Sequence, residues 1–227
     1  MPRLNREESQ ARTRERLIEA ARSEIVKKGF ALASVRDIAD AAGFSQGAFY
    51  SNFPDKEAIL LELVQRHQSE ERGKIEAALS RAQGDAAAAM QGIEKWSATV
   101  NADPGFAVLA IELQLQALRS PTFAATYNEL NRRHRRALGG YITALFELFG
   151  KAVPGEPAEI AASFIALGRG LALLSADMEA RRSGQIVLAF LKALIASAPS
   201  GPGSKPTPKT NPRTNPKSNP NPEPKSR

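Results

Sequence analysis

One run near the N-terminus constrains this chain more than any other: Ser34-Val-Arg-Asp-Ile-Ala-Asp-Ala-Ala-Gly-Phe-Ser-Gln-Gly-Ala-Phe-Tyr-Ser-Asn-Phe53, followed by Pro54-Asp-Lys-Glu-Ala58. It reads as two short helices with a tight corner between them. Ser34 can cap the first, whose apolar residues Val35, Ile38, Ala39 and Ala42 share one face. Gly43 sits where that helix must stop, because glycine enters the left-handed conformation cheaply. Ser45 can cap the second helix, and Phe49 and Phe53, four apart, give it an apolar side. Small Ala39 lets the second helix approach, Gly43 turns the corner, and Phe44 and Phe49 fill the wedge. This is the pattern of a helix-turn-helix, whose second helix can lie in the DNA major groove. Any αα-hairpin can show these residues at this spacing, so the opposite face decides the reading. Gln46, Tyr50, Ser51 and Asn52 project from the second helix without a core role. Gly47 removes a side chain where a phosphate backbone could approach, and Lys56 follows just beyond.

The stretch Val35–Ala58 resembles the DNA-binding signature of the TetR family of bacterial transcriptional repressors, with the likeness running from about Thr13 to Val64. Its glycine, tyrosine, phenylalanine and lysine fall at the family's intervals; Asn52 departs from it, standing where many members carry histidine. The resemblance implies an all-α chain with an N-terminal three-helix head and a C-terminal helical domain for ligand binding and dimerisation. On it, Ser45, Tyr50 and Lys56 are expected to hold phosphates, while Arg36, Gln46 and Ala48 read base edges or thymine methyls. Ser34, Gly47 and Asn52 complete the expected DNA-contacting set.

Charge has to be located before it can support that reading. The formal charge is +7, but residues 199–227 hold six Lys/Arg and one Glu. The rest of the chain carries 25 basic against 23 acidic groups, so DNA binding must rest on local placement. Arg3, Arg6, Arg12, Arg14 and Arg16 form an N-terminal basic arm, which can either reach DNA or stay solvated.

In chain order, a helix over about Glu8–Lys28 leads through Phe30 and Leu32 into the helix-turn-helix. Asp55 caps a long helix running to about Arg81. Further helices are expected over Ala86–Asn101, Pro104–Leu118, Pro121–Phe149, Ala158–Ala180 and Gly184–Ser197, with prolines suited to first turns. No alternating run between turn signals suggests a strand. The expected organisation is a DNA-binding head over 1–56, a helical body over 57–198, and a Pro/Asn/Lys-rich tail over 199–227 that cannot build a core.

Two features of the body bear on function. Ile160, Phe164, Leu167, Leu171, Leu174 and Met178 repeat at steps of four and three, and Val187, Phe190, Leu191 and Leu194 give the last helix a similar face. Gly168 and Gly170 inside the first of these helices call for compensation, for which close approach of another helix is the simplest source. The seam can be internal or can join two chains; the family resemblance implies the latter, a homodimer with two reading heads on a palindrome. Second, Trp96, Phe106, Leu109, Leu113, Gln114, Phe123, Tyr127 and His134 are candidates to surround an unidentified inducer of apolar character, again on the resemblance.

Other classes find little support. The chain has no cysteine and two histidines, His67 and His134, that fit no metal-ligand spacing. There is no glycine-rich phosphate loop and no nucleophile elbow, so no enzyme, metal or cofactor is expected. No apolar run is expected to reach the roughly 18 residues a membrane span needs, and the N-terminus lacks a secretory core, which fits a cytoplasmic protein. The resulting reading is a ligand-responsive repressor that binds a DNA operator. An activator or dual regulator with the same contacts, and a helical interaction module that no longer binds DNA, are the alternatives.

Overall fold

The computed structural model describes residues 6–99, 103–174 and 180–201, and among them the chain is all-helical, with no strand. In order the helices are α1 (Arg6–Lys28), α2 (Val35–Ala42), α3 (Gln46–Tyr50), α4 (Lys56–Ala82), α5 (Ala86–Ser97), α6 (Pro104–Arg119), α7 (Pro121–Leu148), α8 (Pro157–Leu174) and α9 (Ala180–Ser197). Side-chain chemistry sets their starts. Ser34, Ser45, Asp55, Asp85, Asp103 and Ser120 each accept a backbone N–H from the first turn of the helix they precede.

Two apolar cores follow from the faces these helices bury. The first gathers Leu17, Ile25, Ile38, Phe49, Ile59 and Leu60 from α1 to the opening turns of α4. It also takes in Leu109 and Leu113 of α6 and Phe123 and Tyr127 of α7. The expected head–body boundary at residue 56 therefore coincides with the start of α4, but packing runs straight across it. The second core joins the far end of α4 (Ile75, Ala78, Ala82) to α5, the end of α7 and α9. One continuous helix, α4, serves both.

Two expectations need correcting. The tail was expected to be unstructured from residue 199, yet its first residues are pinned to the loop between α7 and α8. Ala152 N–H donates to the Pro199 carbonyl at 2.9 Å and Gly201 N–H to that of Gly150 at 2.8 Å. Backbone pairing needs no apolar side chains, so composition could not show it; residues 202–227 lie outside the described residues. Second, α8 is by length and composition apolar enough to cross a membrane, with 18 residues and a mean hydropathy of 1.4. Only Ala161 and Gly168 of this helix are buried; Phe164, Ile165 and Ala172 line a cavity and Leu174 is 80% exposed, so packing within the chain covers only part of its apolar surface.

Candidate nucleic-acid interface and ligand cavity

The head is built from its caps outward. Ser34 Oγ accepts the Asp37 N–H at 3.0 Å while the Asp37 carboxylate accepts the Ser34 N–H at 2.9 Å, a reciprocal capping box. The Ser34 hydroxyl also donates to the Asp37 carboxylate at 2.5 Å, and this bond, with the Ser34 N–H and Lys28 3.0 Å away, holds the Asp37 carboxyl far below the usual carboxylate range. Gly43 closes α2 at φ +75°, with Phe44 N–H on the Ala39 carbonyl (2.9 Å) and Gly43 N–H on that of Asp40 (3.0 Å). Beyond this turn Ser45 caps α3, and Phe49 is fully buried with Phe53 5.7 Å away, ring to ring. Burying Phe49 fixes the outward face: Ser45, Gln46, Gly47 and Tyr50 are exposed, as are Ser34 and Arg36. Ala48 is half-buried. Tyr50 rests edge-on against Phe49 and leaves its ring 56% exposed. A side chain at Gly47 would meet only Ser45 Oγ, at 3.6 Å, so nothing within the chain demands glycine there.

Two members of the expected set are engaged elsewhere. Lys56 Nζ donates to the carbonyls of Phe30 (2.6 Å) and Ala33 (2.8 Å) and lies 4.3 Å from the centre of the Phe30 ring. Partial burial lowers its pKa. Its ammonium ties down the loop between α1 and α2, which leaves one N–H, not a free cation, for a phosphate. Asn52 Nδ2 donates to the Ala48 carbonyl at 2.8 Å, closing the end of α3 with one of its two amide N–H groups. Of the basic arm, Arg14 and Arg16 are part of the fold, whereas Arg6 and Arg12 are exposed. Arg14 donates to the Asn52 carbonyl and to Glu62 at 2.8 and 2.9 Å, and lies over the Phe53 ring; Arg16 lies over Phe44. Arg3 lies outside the described residues.

Polar contacts fasten this head to the body through α6. Glu112 accepts the Phe30 N–H at 3.1 Å, Gln116 donates to Glu57 at 2.5 Å, and Asp103 pairs with Arg22 of α1. Helices α4 to α9 line a partly open cavity of about 680 Å³, with Val64, His67, Glu71 and Ile75 from α4 and Phe164, Gly168 and Arg169 from α8. Of the expected ligand contacts, Trp96, Phe106, Gln114 and His134 line it. Leu109, Leu113, Phe123 and Tyr127 do not: each is about 1% exposed and belongs to the first core. They were expected to face a ligand, and what they pack against instead is the head. The Tyr127 hydroxyl is buried there without a hydrogen-bond partner.

The cavity also brings in His67 and Glu71, which sequence reasoning missed, beside the expected His134 and Trp96. His67 stacks on Phe106 with ring centroids 3.3 Å apart. His134 sits in a run of arginines yet is itself buried, with Nδ1 3.2 Å from Arg72 Nη1. Because a guanidinium only donates, Nδ1 is the acceptor and the ring proton resides on Nε2. Burial pushes both imidazoles down to about 4, and Arg169 and neighbouring cations act in the same direction. Glu71 accepts the Trp96 indole N–H at 2.9 Å and pairs with Lys74 at 2.7 Å. Among the described residues no cluster of His, Cys, Asp and Glu could hold a metal ion.

The expected dimer seam divides in two. Val187 and Leu191 are buried within the chain, and together with Phe164 they line the cavity, so they are internal. Leu174 and Phe190 are 80% and 59% exposed, and the neighbouring Leu173 is 57% exposed. Ile160, Leu167, Leu171 and Leu194 are half-buried, and Met178 lies outside the described residues. A seven-residue repeat finds an apolar stripe but cannot separate its two edges, one facing the cavity and one facing out. Of the glycine pair, Gly168 is buried in the cavity wall, whereas Gly170 has nothing within 4 Å of an added Cβ.

Comparison with known proteins agrees with this architecture. Residues 17–63 match the family model of bacterial regulatory proteins, tetR family. The uncharacterized HTH-type transcriptional regulator YdgC of Bacillus subtilis (strain 168) is 42% identical over 67 residues, which are 30% of this chain and 34% of YdgC; the chain thus matches about a third of that relative's length. GusR of Salmonella enterica shares the fold with a TM-score of 0.65 at 19% identity, over 81% of this chain and 95% of GusR. A Saccharomonospora viridis structure in complex with choline gives 0.59 at 18% identity, over 80% and 96%. The family likeness thus lies in the N-terminal head, residues 17–63, while the described chain as a whole shares the helical fold of these solved structures.

Proposed function

We propose that this protein is a cytoplasmic, ligand-responsive transcriptional repressor that binds a palindromic DNA operator as a homodimer and is released by a small, largely apolar inducer. The observation that carries this reading is α4. The helix gives Ile59, Leu60 and Leu63 to the core of the reading head and His67, Glu71 and Ile75 to the cavity wall. A ligand that fits one placement of α4 better than another shifts the dimer away from its DNA-binding state by that difference in affinity. The contacts of α6 to Arg22, Phe30 and Glu57 give the cavity a second hold on the head. Outward-facing Leu173, Leu174 and Phe190, with open space beside Gly170, support pairing of α8 and α9 with a second copy. The choline held by one structural neighbour supports a small-molecule partner.

On DNA, Ser45 and Tyr50 set the register through phosphates, Gln46, Arg36 and Ala48 face the bases, and Ser34 and Gly47 border them. Lys56 and Asn52 act mainly from behind, by fixing the loop before α2 and the end of α3. The test is fluorescence anisotropy with DNA from upstream of the protein's own gene against scrambled DNA, across a salt series. Tight binding to the first fragment by two chains per site is expected. Gln46→Ala should relax discrimination at one base pair of each half-site by about 1–3 kcal/mol; an unchanged ranking of single-base variants refutes its role. Failure to bind any DNA points instead to a helical interaction module.

A further inference from the structure

The charged groups around the cavity differ in whether they already have partners. Glu71 is held by Trp96 and Lys74, and Asp103 by Arg22. Glu70 is exposed to solvent. Arg169 is different. It lines the cavity from the middle of α8, is only partly exposed, and has no ion pair or hydrogen bond to a described residue. A guanidinium does not give up its charge, and its removal from water is costly unless a counterion compensates. Among the described residues the other carboxylates of this lining, Glu71 and Asp103, are already paired, and Ile165, Ala172 and Leu173 of α8 and Ala107 and Ile111 of α6 supply apolar wall. Buried Gly168 beside it contributes no side chain to the wall. The nearby imidazole of His134, protonated on Nε2, adds a neutral donor to the same cavity.

We propose that the cavity takes an amphiphilic organic anion, with its carboxylate on Arg169 and its apolar tail along the α6 and α8 wall. This rests on the reading of the cavity as a ligand site and adds the chemical class. The volume of about 680 Å³ lies within the roughly 300–1,000 Å³ of small-molecule sites. A planar guanidinium fork matches a carboxylate in two parallel hydrogen bonds, which an alcohol or an ammonium cannot reproduce.

The chain has one tryptophan, Trp96, and it lines the cavity, so its fluorescence reports occupancy directly. The full-length protein is titrated with dodecanoate, dodecanol and dodecylammonium, each below its micelle-forming concentration. Dodecanoate is expected to bind about tenfold more tightly than dodecanol, with dodecylammonium weakest, since a charge-assisted bond is worth about that factor. Arg169→Gln should abolish the preference while leaving dodecanol affinity within about twofold; Arg169→Lys should restore part of it. Equal binding of acid and alcohol, tightest binding of the ammonium, or a preference that survives Arg169→Gln overturns the proposal while the cavity remains a ligand site. Absence of any binding overturns both. The three-probe comparison on the unaltered chain decides the matter even if a variant fails to fold.

Discussion

The reading head and the body are both helical, yet they are built to different tolerances. In the head, short helices are capped at both ends, and Leu17, Ile25, Ile38 and Phe49 reach zero exposure within it. Even Arg14, Arg16 and Lys56 are tied to carbonyls, carboxylates or ring faces. The body keeps a cavity at its centre, two uncharged imidazoles in that cavity's wall, and large apolar side chains on its outside. Dense packing favours a single conformation, whereas a cavity leaves room for more than one. The proposed function asks for the first property in the head and the second in the body.

Truncation should separate the two regions most sharply. Phe49→Ala should cost about 3–5 kcal/mol in chemical denaturation, because no neighbour can fill the space behind α3. Ile111→Ala, in the cavity wall and already 37% exposed, should cost about 1 kcal/mol or less. Comparable losses would erase the contrast.

Acid should weaken the body before the head. His67 and His134 titrate near 4 when folded and near 6.5 when unfolded. Above pH 6.5 they are neutral in both states and pH has no effect through them. As pH falls from 6.5 towards 4, the unfolded chain gains protons that the folded chain refuses, so stability drops by on the order of 3 kcal/mol per imidazole. The melting temperature should therefore fall across this window in the native chain and more gently in a His67→Gln, His134→Gln double variant. Asp37 in the head responds with the same sign at lower pH, since its stabilising form persists until its depressed folded pKa is reached.

The smallest effect lies where the two regions meet. Tyr127→Phe removes a buried hydroxyl that has no partner, and should raise stability by about 1 kcal/mol in the same denaturation assay. A loss of stability would mean that the hydroxyl has a role the contacts do not reveal.

The sequence was most legible where each residue answers to its immediate neighbours. Ser34, Gly43, Ser45 and Asp55 announce helix ends through bonds to residues within a few positions, and the helix-turn-helix could be read from them alone. Long-range partners were not legible. Lys56 reaches carbonyls 26 and 23 positions earlier, which turned an expected phosphate ligand into an internal clasp. Leu109, Leu113, Phe123 and Tyr127 were expected to face a ligand and are buried against the head instead. Val187 and Leu191 shared a stripe with residues that face outward. His67 and Arg169 gave the weakest signal; a single cation between two glycines in an otherwise apolar α8 was the clue available.

The pinning of Pro199–Gly201 to the α7–α8 loop also decides where the basic C-terminal segment begins. α7 starts in the core it shares with the head and ends at that loop, and its 28 residues span about 42 Å. The Debye length at physiological ionic strength is about 8 Å. The pinned residues Pro199–Gly201 thus lie about five screening lengths from the start of α7, so a charge placed there is screened from the core that α7 shares with the head.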